Sequence, residues 1–456
     1  MTVFTHVRRM VLPVFAATAV VTLALSGCSS DSGERADGQR ADGQRADGQR
    51  ADSTAPESTG AASTTGAASA PDCRVLAEDP GWYGDNRARI DAMMAEIGRC
   101  GAPGYIAEGA PLALFDWDNT VVKNDIGDAT FFWMVRNGKL RAPKGGDWST
   151  TSPYLTPAAA GALSRACGAA GPGQPMPTDT DTRCADELVS VYSEAETTAE
   201  EPAFAGFNAR RIEPGYAWAA QMLAGWPEKE LEGFVEQARR ENLDAAEGTE
   251  QKVGTTEQTG WVRYYPQMRD LIGALQANGF DVRIISASAE PVVRVWAAEL
   301  GIPADKVMGV RTERDGDVVT SRLVPCGGEL SIPYIEGKRC RVNEQVFGVS
   351  GPAAYQQQPE PRRAAFGAGD SDTDISFLDD ATVLRLAINR NKDELMCTAY
   401  DNADGRWIIN PMFIDPAEQA EPYSCATEGY IEPDGGTGPL RRADGTLVPD
   451  QTDSVH

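Results

Sequence analysis

The sequence predicts an α/β fold: a parallel sheet with a mainly helical domain inserted after its first strand. Short apolar runs alternate with segments of helical periodicity, first near residue 112 and again from Tyr265 onward. Most of these runs end in carboxylates, hydroxyls or glycine, and an open parallel sheet presents its functional groups at strand C-termini. Between the two alternating stretches lies a long span, residues 126–260, in which helical segments and Gly/Pro/Ser-rich loops replace the alternation.

In chain order, Arg8 and Arg9 precede an apolar run, residues 10–27, that is short and Ala-rich for a spanning helix and reads as a secretory leader. The run ends in LSGC, and small residues ahead of Cys28 resemble the cleavage box of bacterial lipoproteins. That resemblance predicts cutting before Cys28, a lipid on its sulfur, and a chain held on the outer face of the cytoplasmic membrane. A plain secretory leader and a released protein are the alternative, and two arginines alone do not decide for twin-arginine export. Residues 28–72 carry ADGQR three times in a row, then Ser, Thr, Ala and Gly. Nothing there can bury a core, so this is expected to be a disordered tether.

From Cys73 the pattern is globular. Ile90, Met93, Met94 and Ile97 lie at helical spacing, and PLALFDWD is a buried strand ending in Asp116 and Asp118. The inserted span opens on the aromatic run FFWMV and holds helices in YAWAAQMLAGW and KELEGFVEQARRENL. After Tyr265, PQMRDLIGALQANG is a helix stopped at Gly279, DVRIISAS a strand finishing in hydroxyls, and EPVVRVWAAELGI a helix. KVMGVRTERDGDVVTSRLV reads as strand, DG turn and strand, while RRAAFGAGD and ATVLRLAINR each supply a strand. Residues 73–125 and 261–400 are thus assigned to a catalytic α/β core, 126–260 to a helical cap, and 401–456 to a loop-rich C-terminal extension.

Charge, cysteine and histidine bound the function. A formal charge of −25 repels nucleic acid and anionic headgroups, so a phosphate ligand must meet local positive groups. Of the nine cysteines, eight remain beside Cys28. An even number in an exported chain predicts disulfides, and neighbour pairing (73–100, 167–184, 326–340, 397–425) is the simplest arrangement. The two histidines are His6, in the leader, and His456, at the last position. A Ser-His-Asp hydrolase, a phosphohistidine phosphatase and a His-ligated zinc enzyme are therefore excluded, and carboxylates must do any nucleophilic and proton-transfer work.

Four motifs occur in order: DWDNT (116–120), IISAS (284–288), GK (337–338) and GDSDTDISF (369–377), each where a strand is expected to end. Their residue types suit phosphoryl transfer through a covalent aspartyl-phosphate. That chemistry needs a nucleophilic carboxylate, a cation against phosphate charge, donors for the peripheral oxygens, and an acid for the leaving oxygen. In this order and spacing the chain resembles the haloacid dehalogenase-like superfamily, and within it the phosphoserine phosphatase-like branch, over roughly residues 110–126 and 262–392.

The resemblance implies a Rossmann-like core with an inserted cap, and these roles. Asp116 is the nucleophile. Asp118 is the general acid and then the base, and its backbone carbonyl joins Asp116 and Asp370 around Mg²⁺, with Asp374 either ligating the ion directly or supporting its ligands. Ser286 and Lys338 bind the phosphoryl group, with Lys306 and Lys392 as competitors for the lysine role, and Thr120 holds the loop and Asp118 in place. GDSDTD also resembles a calcium loop but lacks the closing Glu of an EF-hand. Within the superfamily, dehalogenases lack the second Asp and transport ATPases carry Thr there, so Asp118 points to a phosphatase or phosphomutase, and export favours a phosphatase.

In the phosphoserine phosphatase pattern an acid just after the first motif reads the substrate's amino group, and Asp125 stands at that offset. With Phe131, Phe132 and Trp133 following, the expected substrate is a small amino-alcohol phosphate: phosphoserine, phosphoethanolamine or phosphocholine. The first motif is also similar to that of exported bacterial phosphocholine phosphatases. Arg136, Arg210 and Arg211 are the cap's candidates for a substrate carboxylate, and packing of the cap helices is the ordinary role of the aromatics. The rival function is a non-catalytic surface lipoprotein that uses the same fold as a binding module.

Overall fold

Six parallel strands carry the site: β1 (Leu112–Phe115), β2 (Asp281–Ala289), β3 (Val307–Val310), β4 (Phe366–Gly369), β5 (Leu384–Asn389) and β6 (Trp407–Pro411). Their spatial order is β6-β5-β4-β1-β2-β3, and every neighbouring pair is parallel. This computed structural model describes residues 73–101, 109–168 and 170–456; the leader, the tether with its repeats, and Cys28 lie outside the described residues. β1, β4 and β5 are buried along their whole length, as strands covered on both faces must be, which is why they read as continuous apolar runs.

The chain steps from β1 to β2 and β3 on one side, then returns to β4 on the other side of β1 and continues outward. The order therefore reverses between β1 and β4, where an open sheet leaves a crevice at its C-terminal edge. Register sets Phe115 beside Ala368 and Ile284. One residue further on, Asp116 comes level with Gly369 of β4 and Ile285 of β2, while β2 itself runs on to Ala289.

The inserted span holds the helices Ile126–Arg136, Pro157–Cys167, Thr182–Ser193, Pro214–Met222 and Glu228–Asp244, with one hairpin, Glu250–Val253 against Thr256–Thr259. Its two crossings pair as a short antiparallel ribbon, Val122–Lys123 with Arg263–Tyr264. The Ile126–Arg136 helix starts where Asp125 accepts a hydrogen bond from the Asp128 amide at 2.9 Å, a side-chain N-cap.

Three sequence readings need correction. The span 306–324 is not one hairpin: Val307–Val310 joins the main sheet, and only Thr312–Asp315 and Val318–Leu323 pair across the DG turn. That hairpin leans on the cap, with Gly225 N donating to Val319 O at 2.9 Å. The 401–456 extension is not wholly outside the core, because WIINP is apolar enough to form β6 against β5. Loop residues around so short a run hid it. Lys338 does not end a strand but sits in the first turn of the Glu336–Phe347 helix.

The disulfides pair as neighbours: Cys73–Cys100, Cys167–Cys184, Cys326–Cys340 and Cys397–Cys425. Each closes a short loop, for which the chain-entropy account gives about 3 kcal/mol. One buried ion pair ties cap, core and extension together. Arg210 donates from Nη1 and Nη2 to both oxygens of Glu394, each at 3.0 Å, and from Nη1 to Ile431 O at 2.8 Å. Both side chains are almost fully buried. Removing one partner strands the other charge, so Arg210→Met should cost about 3–5 kcal/mol in urea unfolding, and adding Glu394→Met should restore most of the loss.

Candidate active site

Asp116 and Asp118 flank Trp117, which is wholly buried and meets Tyr264 edge-on with centroids 6.1 Å apart. Alternation along the chain then sends both acids the other way. Asn119 turns the backbone with φ 60°, a left-handed conformation that Asn tolerates, and its Oδ1 accepts from Asn124 N at 3.1 Å. The turn brings Thr120 Oγ1 to 3.2 Å from Asp116 Oδ2 and 2.8 Å from Asp370 Oδ1, so one hydroxyl locks two motifs together.

Lys338 is fully buried, with Nζ 2.6 Å from Asp116 Oδ1 and 2.5 Å from Asp374 Oδ1. Lys306 instead pairs with Asp281 at 2.9 Å, which leaves Lys338 as the lysine of the carboxylate cluster. Its helix starts under strain: Ile335 has φ 42°, costly for a β-branched residue, and its N–H donates to Thr373 O at 3.0 Å. Gly337 is required because a Cβ there would lie 1.8 Å from the Ile332 carbonyl oxygen. Asp374 faces Lys338 with Oδ1, while its Oδ2 accepts from the amides of Asp370 and Ser371 at 2.9 and 3.0 Å. It tucks under Gly369, where a Cβ would come within 2.6 Å of it.

Asp116, Asp370 and Asp374 each bring one oxygen to within 4.8 Å of the others, and all three are buried. Asp370 Oδ2 has no hydrogen bond, although Arg390 Nε lies 2.8 Å away. Three hard oxygen donors with an unsatisfied oxygen among them fit Mg²⁺. Burial pushes the Asp116 carboxyl up to about 6, with Lys338 pulling it down and Asp370 adding to the rise. Burial likewise raises Asp370 and Asp374. Burial opposes charge on Lys338 too, but Asp116 and Asp374 outweigh it and keep the ammonium protonated.

Asp118 has different surroundings. Its Oδ1 accepts from Ile126 N at 2.8 Å, and its Oδ2 accepts from Ser288 Oγ at 2.7 Å. Burial, then the charges of Asp125 and Asp116, hold its carboxyl well above the usual range. Ser286 is wholly buried; its Oγ accepts from Ser288 N at 3.0 Å and lies 3.4 Å from Asp118 Oδ2. Ser288, not Ser286, lines the cavity.

That cavity opens between sheet and cap, with Asp116, Asp118 and Asp370 on its floor and Asp125, Glu213, Phe131, Tyr192, Tyr216 and Tyr334 around its cap side. Burial raises the Asp125 and Glu213 carboxyls. Asp128, just behind, is pushed up to about 8 by burial and then by Asp125, although Tyr192 OH donates to it at 2.6 Å. Of the aromatic run only Phe131 reaches the cavity, 4.5 Å from Tyr192 between centroids; Trp133 stacks on Phe234. The arginines proposed for a carboxylate are engaged elsewhere: Arg136 with Glu241, Arg210 with Glu394, Arg211 with Glu336 and Glu329. The cations on the cavity wall are Arg390 and Lys392.

Sequence reasoning missed Ser288, Glu213, Arg390 and the tyrosines. Arg390 was findable, since it directly follows a strand, and Ser288 stands inside a motif already noted. The tyrosines come from three separated segments and carry no shared pattern.

The site thus combines a carboxylate pair after β1, a lysine on the helix ahead of β4 and a second acidic loop after β4, under a cap inserted behind the first strand. Residues 164–379 match the family model described as haloacid dehalogenase-like hydrolase. A 117-residue stretch is 30% identical to phosphorylcholine phosphatase of Pseudomonas aeruginosa, covering 24% of this chain and 33%, one third, of that relative's length. The fold is shared with a conserved protein of unknown function from Anaerococcus prevotii, at 20% identity and a TM-score of 0.51 over 74% of this chain and 94% of that one. A substrate-bound phosphoserine phosphatase also aligns, with 13% identity and a TM-score of 0.29 over 61% of this chain and 86% of its own, too loose a likeness to bear on substrate.

Gly337→Ala tests how the lysine is placed. The added methyl must displace the turn ahead of Lys338, so the variant should lose about 1–3 kcal/mol in chemical denaturation. Gly348→Ala at the far end of the helix, where a Cβ meets open space at φ 65°, should cost about 1 kcal/mol.

Proposed function

We propose that the protein is an exported, Mg²⁺-dependent phosphomonoesterase that works through an aspartyl-phosphate on small amino-alcohol phosphates, held at the membrane by a lipid on Cys28. One observation carries the chemistry: two acids a residue apart have opposite surroundings. Asp116 is paired with an ammonium inside a carboxylate cluster, and Asp118, beside Ser288, is pushed toward its protonated form by burial and by the charges of Asp125 and Asp116. A nucleophile must be ionised and a general acid must not be, and divergent environments for two carboxyls are how one site achieves both.

In the proposed cycle Asp116 Oδ attacks phosphorus, the P–O bond to the alcohol breaks, and Asp118 gives its proton to the departing oxygen. Asp118, now ionised, takes a proton from water as that water attacks the phospho-aspartate, which releases phosphate and frees Asp116. Lys338 keeps the nucleophile ionised, and Thr120 keeps it oriented toward Asp370. Asp116, Asp370 and Asp374 would hold Mg²⁺, which when bound offsets phosphoryl charge.

The cap side supports the substrate class. Asp125 and Glu213, with Asp128 behind, are partly buried acids set among aromatic rings, an environment that favours a cationic head. The first motif's likeness to phosphocholine phosphatases agrees with this reading. The four disulfides favour an oxidising compartment. In the rival reading, a non-catalytic binding module, the charged cluster would be dispensable.

Hydrolysis of para-nitrophenyl phosphate and phosphocholine is the direct test. Activity should vanish in EDTA and return with Mg²⁺, and Asp116→Asn should lose on the order of 10³-fold or more in kcat. An Asp116→Asn variant as active as the parent ends the proposal.

Asp118→Asn separates the second role. It should cost on the order of 10²–10⁴-fold on phosphocholine, whose alkoxide needs a proton, and much less on para-nitrophenyl phosphate, a good leaving group. For the parent on phosphocholine, kcat/KM should fall as pH rises through the raised pKa of Asp118, because the acid form is the active one. Equal losses on both substrates would remove Asp118 as the proton donor.

A further inference from the structure

We infer that Arg390 is a phosphoryl-binding residue of this site, an inference that rests on the phosphomonoesterase reading. Arg390 directly follows β5, so it stands on the strand-end rim one strand beyond Asp370. Its Nε lies 2.8 Å from Asp370 Oδ2, yet neither atom has an aligned hydrogen bond. Among the described residues its guanidinium, with five N–H donors, is recorded in that ion pair alone.

The side chain lines the catalytic cavity and also a second, polar cavity beside it, bounded by Asn124, Asp128, Asn242 and Trp261. It thus stands where two open spaces meet beside the nucleophile. About a third of the side chain, 32%, is exposed, so it can exchange one partner for another.

Charge makes the assignment. A phosphomonoester dianion brought to Asp116 meets the carboxylates of Asp116, Asp118 and Asp370 on the cavity floor. Lys338 cannot offset them alone, because its ammonium is closed between Asp116 and Asp374 and it does not line the cavity. Ser286 does not line it either. Lys392 does, but no acid of the cluster lies within ion-pair distance of it among the described residues. Arg390 is the wall cation already poised on a member of the cluster. A planar guanidinium also presents two parallel donors to two phosphoryl oxygens, which an ammonium does not. The Asp370 contact is then its resting place, left when a phosphoryl group arrives.

The test measures orthophosphate binding to the whole protein by calorimetry with Mg²⁺ present, beside phosphocholine kinetics and thermal melting, for the parent, Arg390→Met and Arg390→Lys. Arg390→Met should weaken orthophosphate binding about 10- to 100-fold and raise KM, with Arg390→Lys recovering part of the loss. If the parent binds phosphate and turns over but Arg390→Met binds it equally well, the assignment falls, whatever happens to melting or rate. If Arg390→Met does not fold, Arg390→Lys carries the test: full parental affinity then overturns the assignment, because the fork would not matter. A parent that neither binds orthophosphate nor hydrolyses any phosphomonoester overturns the underlying reading instead.

Discussion

A lysine ammonium with no exposure to water, held between two carboxylates, is the constraint around which the site is organised. Burying an ammonium is expensive unless opposite charges and hydrogen bonds replace its water. Asp116 and Asp374 do that for Lys338, and Lys338 in turn keeps Asp116 near ionisation despite burial. Neither partner can move without stranding the other. The surrounding backbone accepts strain to keep them in place, with Ile335 at positive φ and Gly337 pressed against the Ile332 carbonyl. Strain of this kind persists only where the neighbourhood over-determines the conformation. Here the Thr373 carbonyl and the Ser376 hydroxyl, both from the loop and helix after β4, hold the Ile335 peptide groups.

Topology brings the parts together. Asp116 and Asp370 are far apart in sequence, but β1 and β4 are neighbours and parallel, so their C-terminal residues meet in the crevice where strand order reverses. Asp118, two residues further, is already beyond the sheet. It is claimed by the cap's first helix through Ile126 N and by Ser288 near the end of β2. The functional difference between the two acids therefore follows from a small step along the chain across the boundary between core and cap. The cap is joined to the core through the ribbon that pairs Val122–Lys123 with Arg263–Tyr264, a few residues from Asp118.

What could be read from sequence was local. Strand-end acids, the glycine before Lys338 and the glycine before Asp370 are visible because each is required by atoms within a few residues or by one close backbone approach. The pairing of cysteines as neighbours was legible for the same reason. The cavity wall was not. Phe131, Tyr192, Tyr216 and Tyr334 come from segments that only the tertiary fold unites, and nothing in their spacing separates them from packing residues. Phe132 and Trp133 show the converse, being adjacent to a cavity residue in sequence and turned into the helical core in space. β6 was hidden because its Trp-Ile-Ile run is only three residues long and is flanked by loop residues, although it completes the β5 edge.

The two ends of the cavity carry different demands. On the floor, carboxylates are gathered beside Lys338 and Arg390, so the balance of charge there is decided by whatever cations are present. On the cap side, Asp125 and Glu213, with Asp128 behind, are partly buried without a salt-bridge partner of their own among the described residues, and each is pushed toward its neutral form. A cation placed among them would favour their ionised forms and recover Coulombic energy that burial withholds. A ligand with its negative charge at one end and positive charge at the other satisfies both poles at once, whereas an anionic sugar phosphate satisfies only the floor. In a chain of net charge −25, a zwitterion is also the phosphoester that long-range repulsion penalises least.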